Sequence, residues 1–327
     1  MKAVLVRRAG GPEVLELVEQ PVPNPGHGEV RVRMHSIGVN YADVMCRKAI
    51  HRSMRPPPIV LGCEASGVIE ACGAGTPDRR VGERVGVYSP FGGAYAEALV
   101  VPQSYALRLP DSMSFEEGAA FTHVYLTAYQ ALHGISPLRK GSSVLVTAAA
   151  GGLGGAVIQL ASAAGARVIA AVGSASKRAG LQARGIESVI DYGSSDLTAE
   201  TLRATSQRGV DLAIETVGGR IFQQAQRALA PLGCIVMAGM AGGEESQPDI
   251  PTLLARSAAC ATLNLSVVYS QEPGHMREIW AQLCSLYGAG ALSPQIGNRF
   301  PLAQAADAHR LLESRANVGK ILLNPST

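Results

Sequence analysis

Ser142–Ser–Val–Leu–Val–Thr–Ala–Ala–Ala–Gly–Gly–Leu–Gly–Gly155 is the stretch from which the rest of the chain is read. Val144, Leu145 and Val146 make the short apolar run that a buried parallel strand needs. Gly151, Gly152, Gly154 and Gly155 then break it, and Ala156 to Ala161 resumes with helical spacing. The order is strand, glycine turn, helix. Written from Ala149 the turn is A-x-G-x-x-G, the dinucleotide fingerprint with alanine for its first glycine, and Ala150, Gly151, Gly152 and Leu153 are its candidate cofactor contacts. Such glycines let the backbone approach a pyrophosphate, and the free N–H groups at the helix start attract its charge. Packing alone also produces glycine turns, so the surrounding pattern has to decide.

From Gly141 onward strand and helix patterns alternate. Strands are predicted near 143–147, 167–172, 188–192, 210–215, 234–238 and 261–265, with helices starting near Gly152, Ser176, Leu197, Arg220 and Pro251. Parallel neighbours need crossovers, so this is an α/β pattern: a doubly wound, parallel, six-stranded Rossmann sheet. In that context the glycine turn reads as a cofactor site.

The preceding segment is strand and turn. Runs at 2–6, 29–34, 67–71, 84–87 and 94–101, punctuated by Gly and Pro, suggest a small barrel or a pair of packed sheets. Residues 39–47 read as a loop entering a short helix. Ser114 with Glu117 fits a capping box opening a helix that ends near Phe121, and a second helix is expected over 124–133 with Gly134 as its stop. At the other end, Met276, Ile279, Trp280, Leu283 and Leu286 recur at helical spacing, with Trp280 read as core. A helix over 303–314 and a strand over 319–323 follow. These are expected to fold back on the first domain, giving a discontinuous domain of residues 1–122 and 269–327 around a domain of 123–268.

The chain has 327 residues, 47% of them hydrophobic, enough for full cores in about two domains. Its 29 basic and 26 acidic residues are spread without blocks, which argues against a nucleic-acid partner. Cys46, Cys63, Cys72, Cys234, Cys260 and Cys284 have no metal-like spacing, and Arg7, Arg8, Glu13 and Glu16 stand where a secretory apolar region would be. Reduced thiols and a cytoplasmic location are expected. Residues 142–166 carry no charge and are long enough to cross a membrane. A spanning helix there would contain four glycines within five residues, each costing about 1 kcal/mol against alanine, so no membrane partner is expected.

An NAD site places an acid about 20 residues past the turn, on the ribose 2′-hydroxyl. Here the second strand runs on into Gly173–Ser–Ala–Ser–Lys–Arg178, with no acid. Ser174, Lys177 and Arg178 would instead meet a 2′-phosphate through charge-assisted hydrogen bonds, which favours NADPH. The bland alternative for Lys177 and Arg178 is a solvated helix start.

Taken together, Val39–Asn–Tyr–Ala–Asp43 followed by Arg47, Leu61–Gly–Cys–Glu–Ala–Ser–Gly67, Val81–Gly–Glu–Arg–Val85, Ala149–Gly154, Ser174–Lys177, Ile190–Asp–Tyr192 and Asn317–Leu323 carry a resemblance along essentially the whole chain. It resembles the zinc-free medium-chain dehydrogenase/reductase superfamily, in its quinone oxidoreductase branch with zeta-crystallin and the VAT-1-like proteins. The resemblance implies a GroES-like barrel for the first domain. It also implies that Lys177, Tyr192 and Arg315 hold the NADPH 2′-phosphate, that Asn40 lies beside the nicotinamide, and that the segments around Thr127, Ala238–Gly239–Met240 and Leu265–Val267 line the nicotinamide end.

Zinc members of the superfamily carry Cys at the position of Asn40 and His at Cys63, and have a cysteine lobe that is missing here. Asn is a poor zinc ligand beside thiolate and imidazole, so no metal is expected. Cys63 with Glu64 reads either as a remnant metal site or as a buried structural cysteine. The chain also departs from its branch, where R-x-G-x-Y is common: here Arg47–Lys–Ala–Ile–His51 puts His51 at the tyrosine. Two readings stand for His51, a proton donor or a residue of a surface loop before the Pro56–Pro–Pro58 run.

Asn40 and His51 are thus the candidate catalytic residues. Without a Lewis acid, a conjugated small-molecule acceptor is expected, a quinone first and an enone or enoyl thioester as alternative, since it delocalises the incoming charge. A non-catalytic NADPH-binding protein is the rival of another class. The β-rich stretch 261–268 comes last in the sheet and has no Lys, Glu or Pro, so a twofold dimer through that Rossmann edge strand is expected.

Overall fold

The computed structural model of the chain describes residues 1–51, 53–272 and 274–325. It divides into two compact units, Met1–Val124 with Tyr269–Thr327, and Tyr125–Val268.

The chain opens with eight strands: β1 (Lys2–Val6), β2 (Leu15–Glu19), β3 (Glu29–Val39), β4 (Ile59–Val60), β5 (Glu64–Cys72), β6 (Arg84–Tyr88), β7 (Ala98–Pro102) and β8 (Ala106–Arg108). A short helix α1 (Tyr41–Arg47) follows β3, and α2 spans Phe115–Tyr129. Ser114 caps α2 reciprocally, its N–H donating to Glu117 Oε2 at 2.9 Å and its hydroxyl accepting from the Glu117 N–H at 3.2 Å. The two helices expected over this region are one, and it continues as a π-turn over Gln130–Ile135. No Gly or Pro stands between Phe121 and Val124 to break it, and Thr122 is accommodated by donating its hydroxyl to Gly118 O.

The second unit contains β9 (Ser143–Val146), α3 (Gly152–Ala163), β10 (Arg167–Val172), α4 (Ala175–Ala183), β11 (Ser188–Asp191), α5 (Leu197–Ala204), β12 (Val210–Glu215), α6 (Gly219–Arg227), β13 (Leu229–Met237), α7 (Ile250–Arg256), β14 (Ala259–Thr262) and α8 (Leu265–Gln271), the last running past the unit's end at Val268. Its six strands lie in the order β11-β10-β9-β12-β13-β14, all parallel. This is the expected doubly wound sheet, with its switch point between β9 and β12. Every side chain of β9 is buried, as a strand covered on both faces requires. The uncharged stretch 142–166 is therefore strand, turn and short helix, and no helix among the described residues is long and apolar enough to cross a membrane.

The sixth strand is shorter than expected. β14 ends at Thr262, and residues 265–268, read as strand, belong to α8. Asn264 overrides the β-branched run: its Oδ1 accepts from the Ser266 N–H at 3.1 Å and hydroxyl at 2.6 Å, which turns the chain into a helix.

The tail supplies α9 (His275–Gly288), β15 (Ile296–Pro301), α10 (Ala305–Glu313) and β16 (Lys320–Asn324) to the first unit. β3 is the spine of that unit. It pairs with β5 along one edge, and along the other with β7 at 29–33 and with β16 at 37–39. The sheet runs β15-β16-β3-β5-β6-β8, and a second sheet runs β2-β1-β4. Val30, Val32 and Met34 are buried as their alternation requires, while Arg31 pairs with Glu70 at 2.6 Å. β15, which has no period-2 pattern, was not foreseen. Trp280 is core: its indole N–H donates to Arg108 O at 2.8 Å and its ring meets Phe121 edge-on.

Candidate functional site

In the second unit the glycine turn joins β9 to α3. Its base is rigid, because the Thr147 hydroxyl donates to Glu215 Oε1 at 3.2 Å and accepts from the Thr216 N–H at 2.9 Å, tying the ends of β9 and β12. Glu215 is buried, which raises its pKa, and its carboxylate also accepts from the Val217 and Gly218 N–H groups. The two glycines of the turn do different work. A Cβ on Gly154 would stand 2.6 Å from Ala148 O and 2.7 Å from Ala149 Cα, so this glycine lets the helix close on the turn. A Cβ on Gly151 would meet only Ala148 O, at 3.3 Å. The protein's own packing leaves room beside Gly151, at the start of a helix whose N-cap has no side-chain cap, and that cradle fits a pyrophosphate.

The next strand end completes the cradle. Gly173 follows β10 and would place a Cβ 3.1 Å from the Tyr192 ring, so Tyr192, at the end of neighbouring β11, lies against it. Ser174 caps α4 by accepting from the Lys177 N–H at 3.4 Å, and the half-buried Lys177 has its pKa lowered by burial. Asp191, at the end of β11, is engaged by its own loop, its Oδ1 accepting from the Gly193 N–H at 2.9 Å. Ala238, Gly239 and Met240 follow β13, with the Ala238 N–H on Glu215 O at 2.8 Å. Thr127 is buried on α2.

The first unit carries a buried polar cluster at the end of β3. Lys320, near the start of β16 and 4% exposed, directs its ammonium at Val39 O (3.0 Å), Asn40 Oδ1 (2.5 Å) and Glu64 Oε1. Lysine has no acceptor, so the Asn40 oxygen must face it and the amide nitrogen must face the other way. That nitrogen donates to Glu64 Oε1 at 2.8 Å and to Cys63 Sγ at 3.3 Å. Both amide hydrogens of Asn40 are thereby engaged, as are the three of Lys320. Glu64 Oε2 accepts from the His123 N–H at 2.7 Å. Burial pushes the Cys63 thiol well above its usual pKa, and pushes His123 down to about 4 against the pull of Glu64, with Lys320 and His51 adding to the fall.

Aromatic rings border this cluster. Tyr88 stacks on His123 and meets Tyr105 and Tyr269 edge-on. The Tyr269 hydroxyl is buried with no hydrogen-bond partner among the described residues. His51 is half-buried, and its Nδ1 accepts from the Ser53 and Met54 N–H groups at 3.3 and 3.1 Å. Its hydrogen therefore sits on Nε2 in the neutral ring, and burial lowers its pKa.

Comparison with known proteins fits this geometry. A family model described as an alcohol dehydrogenase GroES-like domain matches residues 26–111, and one described as a zinc-binding dehydrogenase matches 184–323. The synaptic vesicle membrane protein VAT-1 homolog of Rattus norvegicus is 32% identical over 99% of this chain and 84% of its own length. The quinone oxidoreductase of Pseudomonas aeruginosa is 32% identical over 97% of each. The chain belongs to the quinone oxidoreductase branch of the medium-chain dehydrogenase/reductase superfamily. Among solved structures, a mycobacterial member complexed with NADPH superposes with a TM-score of 0.93 at 34% identity, over 99% of this chain and 100% of that one.

For a member of this branch the expected site residues fall into two sets. Ala150, Gly151, Gly152, Leu153, Gly173, Ser174, Lys177 and Tyr192 gather at the strand ends of the second unit. Asn40 and His51 belong to the first unit, as does Arg315, which follows α10 at a positive φ of 58°. Leu265 and Val267 sit on α8 and not on a strand. Sequence reasoning quoted Asp43 and Lys320 without assigning them to a site, weighed Glu64 only with Cys63 as a remnant metal site, and passed over His123. The signal for Lys320 was a lysine opening the apolar strand Lys320–Asn324, where a cation needs a buried partner. No group of three or more His, Cys, Asp and Glu side chains among the described residues is placed to hold a metal ion.

Proposed function

We propose that this chain is an NADPH-dependent, zinc-independent reductase that delivers hydride to a conjugated carbonyl acceptor, a quinone above others. The observation that carries the reading is the cradle at Gly151, left open by the protein's own packing at a helix start. Ser174 and Lys177, in a Gly173–Arg178 segment whose sequence has no acid, support a 2′-phosphate there, and the NADPH-bound mycobacterial relative supports the same choice. When bound, NADPH supplies a hydride from its nicotinamide C4.

The N–H groups at the start of α3 hold the pyrophosphate, Ser174, Lys177 and Tyr192 the phosphate on the ribose, and the Asn40 cluster serves the nicotinamide end. Donor accounting among Asn40, Lys320 and His51 then favours one of them for the acceptor's oxygen. Asn40 and Lys320 have no hydrogen to spare, because Glu64, Cys63 and Val39 take them. His51 has one, on Nε2, and its lowered pKa keeps it neutral at physiological pH. A neutral imidazole is a hydrogen-bond donor and a poor acid, so His51 stabilises the developing oxyanion while the proton comes from water. A conjugated acceptor, whose charge spreads into a phenolate or enolate, suits so mild a donor.

Zinc independence rests on the same donor set. The Asn40 oxygen faces the Lys320 ammonium, and an amide is a poor zinc ligand beside thiolate and imidazole. Elemental analysis should find no stoichiometric zinc; activity lost to a chelator and restored by zinc would refute this. We assign the protein to the cytoplasm, supported by six unpaired cysteines. We also propose a twofold dimer through the outer edge of β14, the last strand of the sheet.

The test of function is turnover of NADPH against 1,4-benzoquinone, an enone and crotonyl-CoA. Quinone reduction is expected to be fastest. Turnover confined to the thioester would move the acceptor class, and NADPH binding without any turnover would leave a binding protein.

A further inference from the structure

A column of buried polar side chains runs through the first unit and ends under Asn40. It begins at Arg47, which is wholly buried and donates from Nε to Gly10 O at 3.1 Å, from Nη2 to Glu313 Oε2 at 2.8 Å and from Nη1 to His309 Nδ1 at 3.0 Å. Glu313 is held in turn by Lys48 at 2.6 Å. Arginine has only donors, so His309 Nδ1 must accept, and the hydrogen of the neutral ring must lie on Nε2. Burial pushes His309 down to about 3, which keeps that ring neutral. His309 Nε2 is 3.0 Å from the Tyr95 hydroxyl, which therefore accepts there and has its own proton left for Asp43 Oδ2, 3.2 Å away. Every bond in the column points the same way, from Arg47 to Asp43.

Asp43 is where the column meets the site. Its Oδ2 also accepts from the Asn40 N–H at 2.8 Å, and its Oδ1 from the Gly62 N–H at 3.2 Å. One carboxylate thus ties the end of β3 to the residue before Cys63 and Glu64. Tyr95 also packs against that residue, since a Cβ on Gly62, whose φ is +99°, would stand 2.5 Å from Tyr95 Cδ1. The position of the Asn40 amide between Lys320 and Glu64 depends on both ties.

We propose that Arg47, His309 and Tyr95 are positioning residues: their one-way hydrogen-bond column orients Asp43, and Asp43 sets the Asn40 amide for the hydride step. The proposal rests on the reading that the Asn40 cluster serves the nicotinamide end. Direction is its distinctive content, and position 309 tests direction. Glutamine there accepts from Arg47 with Oε1 and donates to Tyr95 with Nε2, which preserves the polarity; leucine does neither.

The experiment compares wild type, His309→Gln and His309→Leu in NADPH-dependent reduction of 1,4-benzoquinone, with NADPH affinity by calorimetry and amide hydrogen exchange at Asn40 and Gly62. Leucine should lower kcat about tenfold, the upper end for one buried hydrogen bond, with the NADPH Kd unchanged within about twofold. It should also speed exchange at both amides. Glutamine should restore kcat to within about threefold of wild type and restore slow exchange. A glutamine variant as impaired as leucine, or a leucine variant with wild-type kcat and exchange, overturns the proposal. Should the leucine variant not fold, Tyr95→Phe removes only the hydroxyl and must show the same fall in kcat and faster exchange; unchanged exchange refutes the column. If wild type reduces no acceptor, the proposed function fails, and the exchange measurement still decides whether the column fixes Asn40.

Discussion

Replacing Gly151 with alanine should separate folding from cofactor binding. At Gly151 φ is −85° and ψ 177°, a conformation alanine adopts without strain. Its Cβ would meet a single atom, Ala148 O at 3.3 Å, which has to give by a few tenths of an ångström. Alanine restricts the unfolded chain, a gain of about 0.4–1 kcal/mol, and is a poorer N-cap than glycine, a loss of similar size. The net change in stability is within about 1 kcal/mol, or ~2–4 °C in melting temperature. The methyl group would nevertheless fill the cradle. Each charge-assisted hydrogen bond lost to the pyrophosphate is worth about 1.5–3 kcal/mol, so the NADPH Kd should rise about 10- to 100-fold. Gly154→Ala is the contrast: its Cβ would press on backbone atoms at 2.6 and 2.7 Å, and the variant should lose about 1–3 kcal/mol of stability. Scanning calorimetry and NADPH titration read both quantities. A Gly151→Ala protein that melts like wild type and binds NADPH as tightly would refute the cradle.

NADPH should bind at least about tenfold tighter than NADH, and Lys177→Ala should abolish most of that difference by weakening NADPH alone; equal calorimetric affinities in wild type would sink the 2′-phosphate assignment. Stability should fall on acidification. Burial holds His309 and His123 down to about 3 and about 4, so below pH ~6.5 the unfolded chain binds protons that the folded rings refuse, and each costs about 1.4 kcal/mol per pH unit. Asp43, raised by burial to about 6, works the other way: its folded form is protonated while the unfolded one is not, returning about 1.4 kcal/mol per unit as pH falls from ~6 to ~4. Together these three groups lose about 1.4 kcal/mol per unit in that window, and His309→Gln should lose about 1.4 kcal/mol per unit less than wild type; urea denaturation that shows the same pH slope in both would contradict it. Light scattering should give a dimer mass, and Thr262→Pro should give a monomer. The Leu263 N–H points inward to Met237 O at 2.9 Å, and alternation along the strand turns the Thr262 N–H outward; a wild-type monomer at micromolar concentration ends the idea.

The second unit was legible because its signals are local. Glycine turn, strand and helix lie within the Ser142–Gly155 stretch and its continuation, and the alternation after it repeats the same unit. α8 was misread because one side chain, Asn264, outweighed the β propensity of Val267 and Val268. The polar cluster was hidden for a different reason. Asn40 and Lys320 stand 280 positions apart, and Arg47 and His309 stand 262 apart, so no window of sequence contains either pair. A buried charge announces only that it needs a partner. Which partner is settled by β16 pairing with β3, a register that short apolar strands do not reveal.

Trp280 is the only tryptophan in the chain, and its indole sits in the core of the first unit between Phe121 and the Arg108 carbonyl. Tryptophan emission, excited beyond the absorption of the tyrosines, is therefore a built-in optical reporter on one half of the molecule. Its emission follows the melting of the unit that carries Asn40 and His51, whereas far-ultraviolet ellipticity follows the helices of both. Recording the two signals on one sample asks whether the halves melt together, because coincident curves are the mark of a single cooperative transition and a gap between them means that each half unfolds on its own.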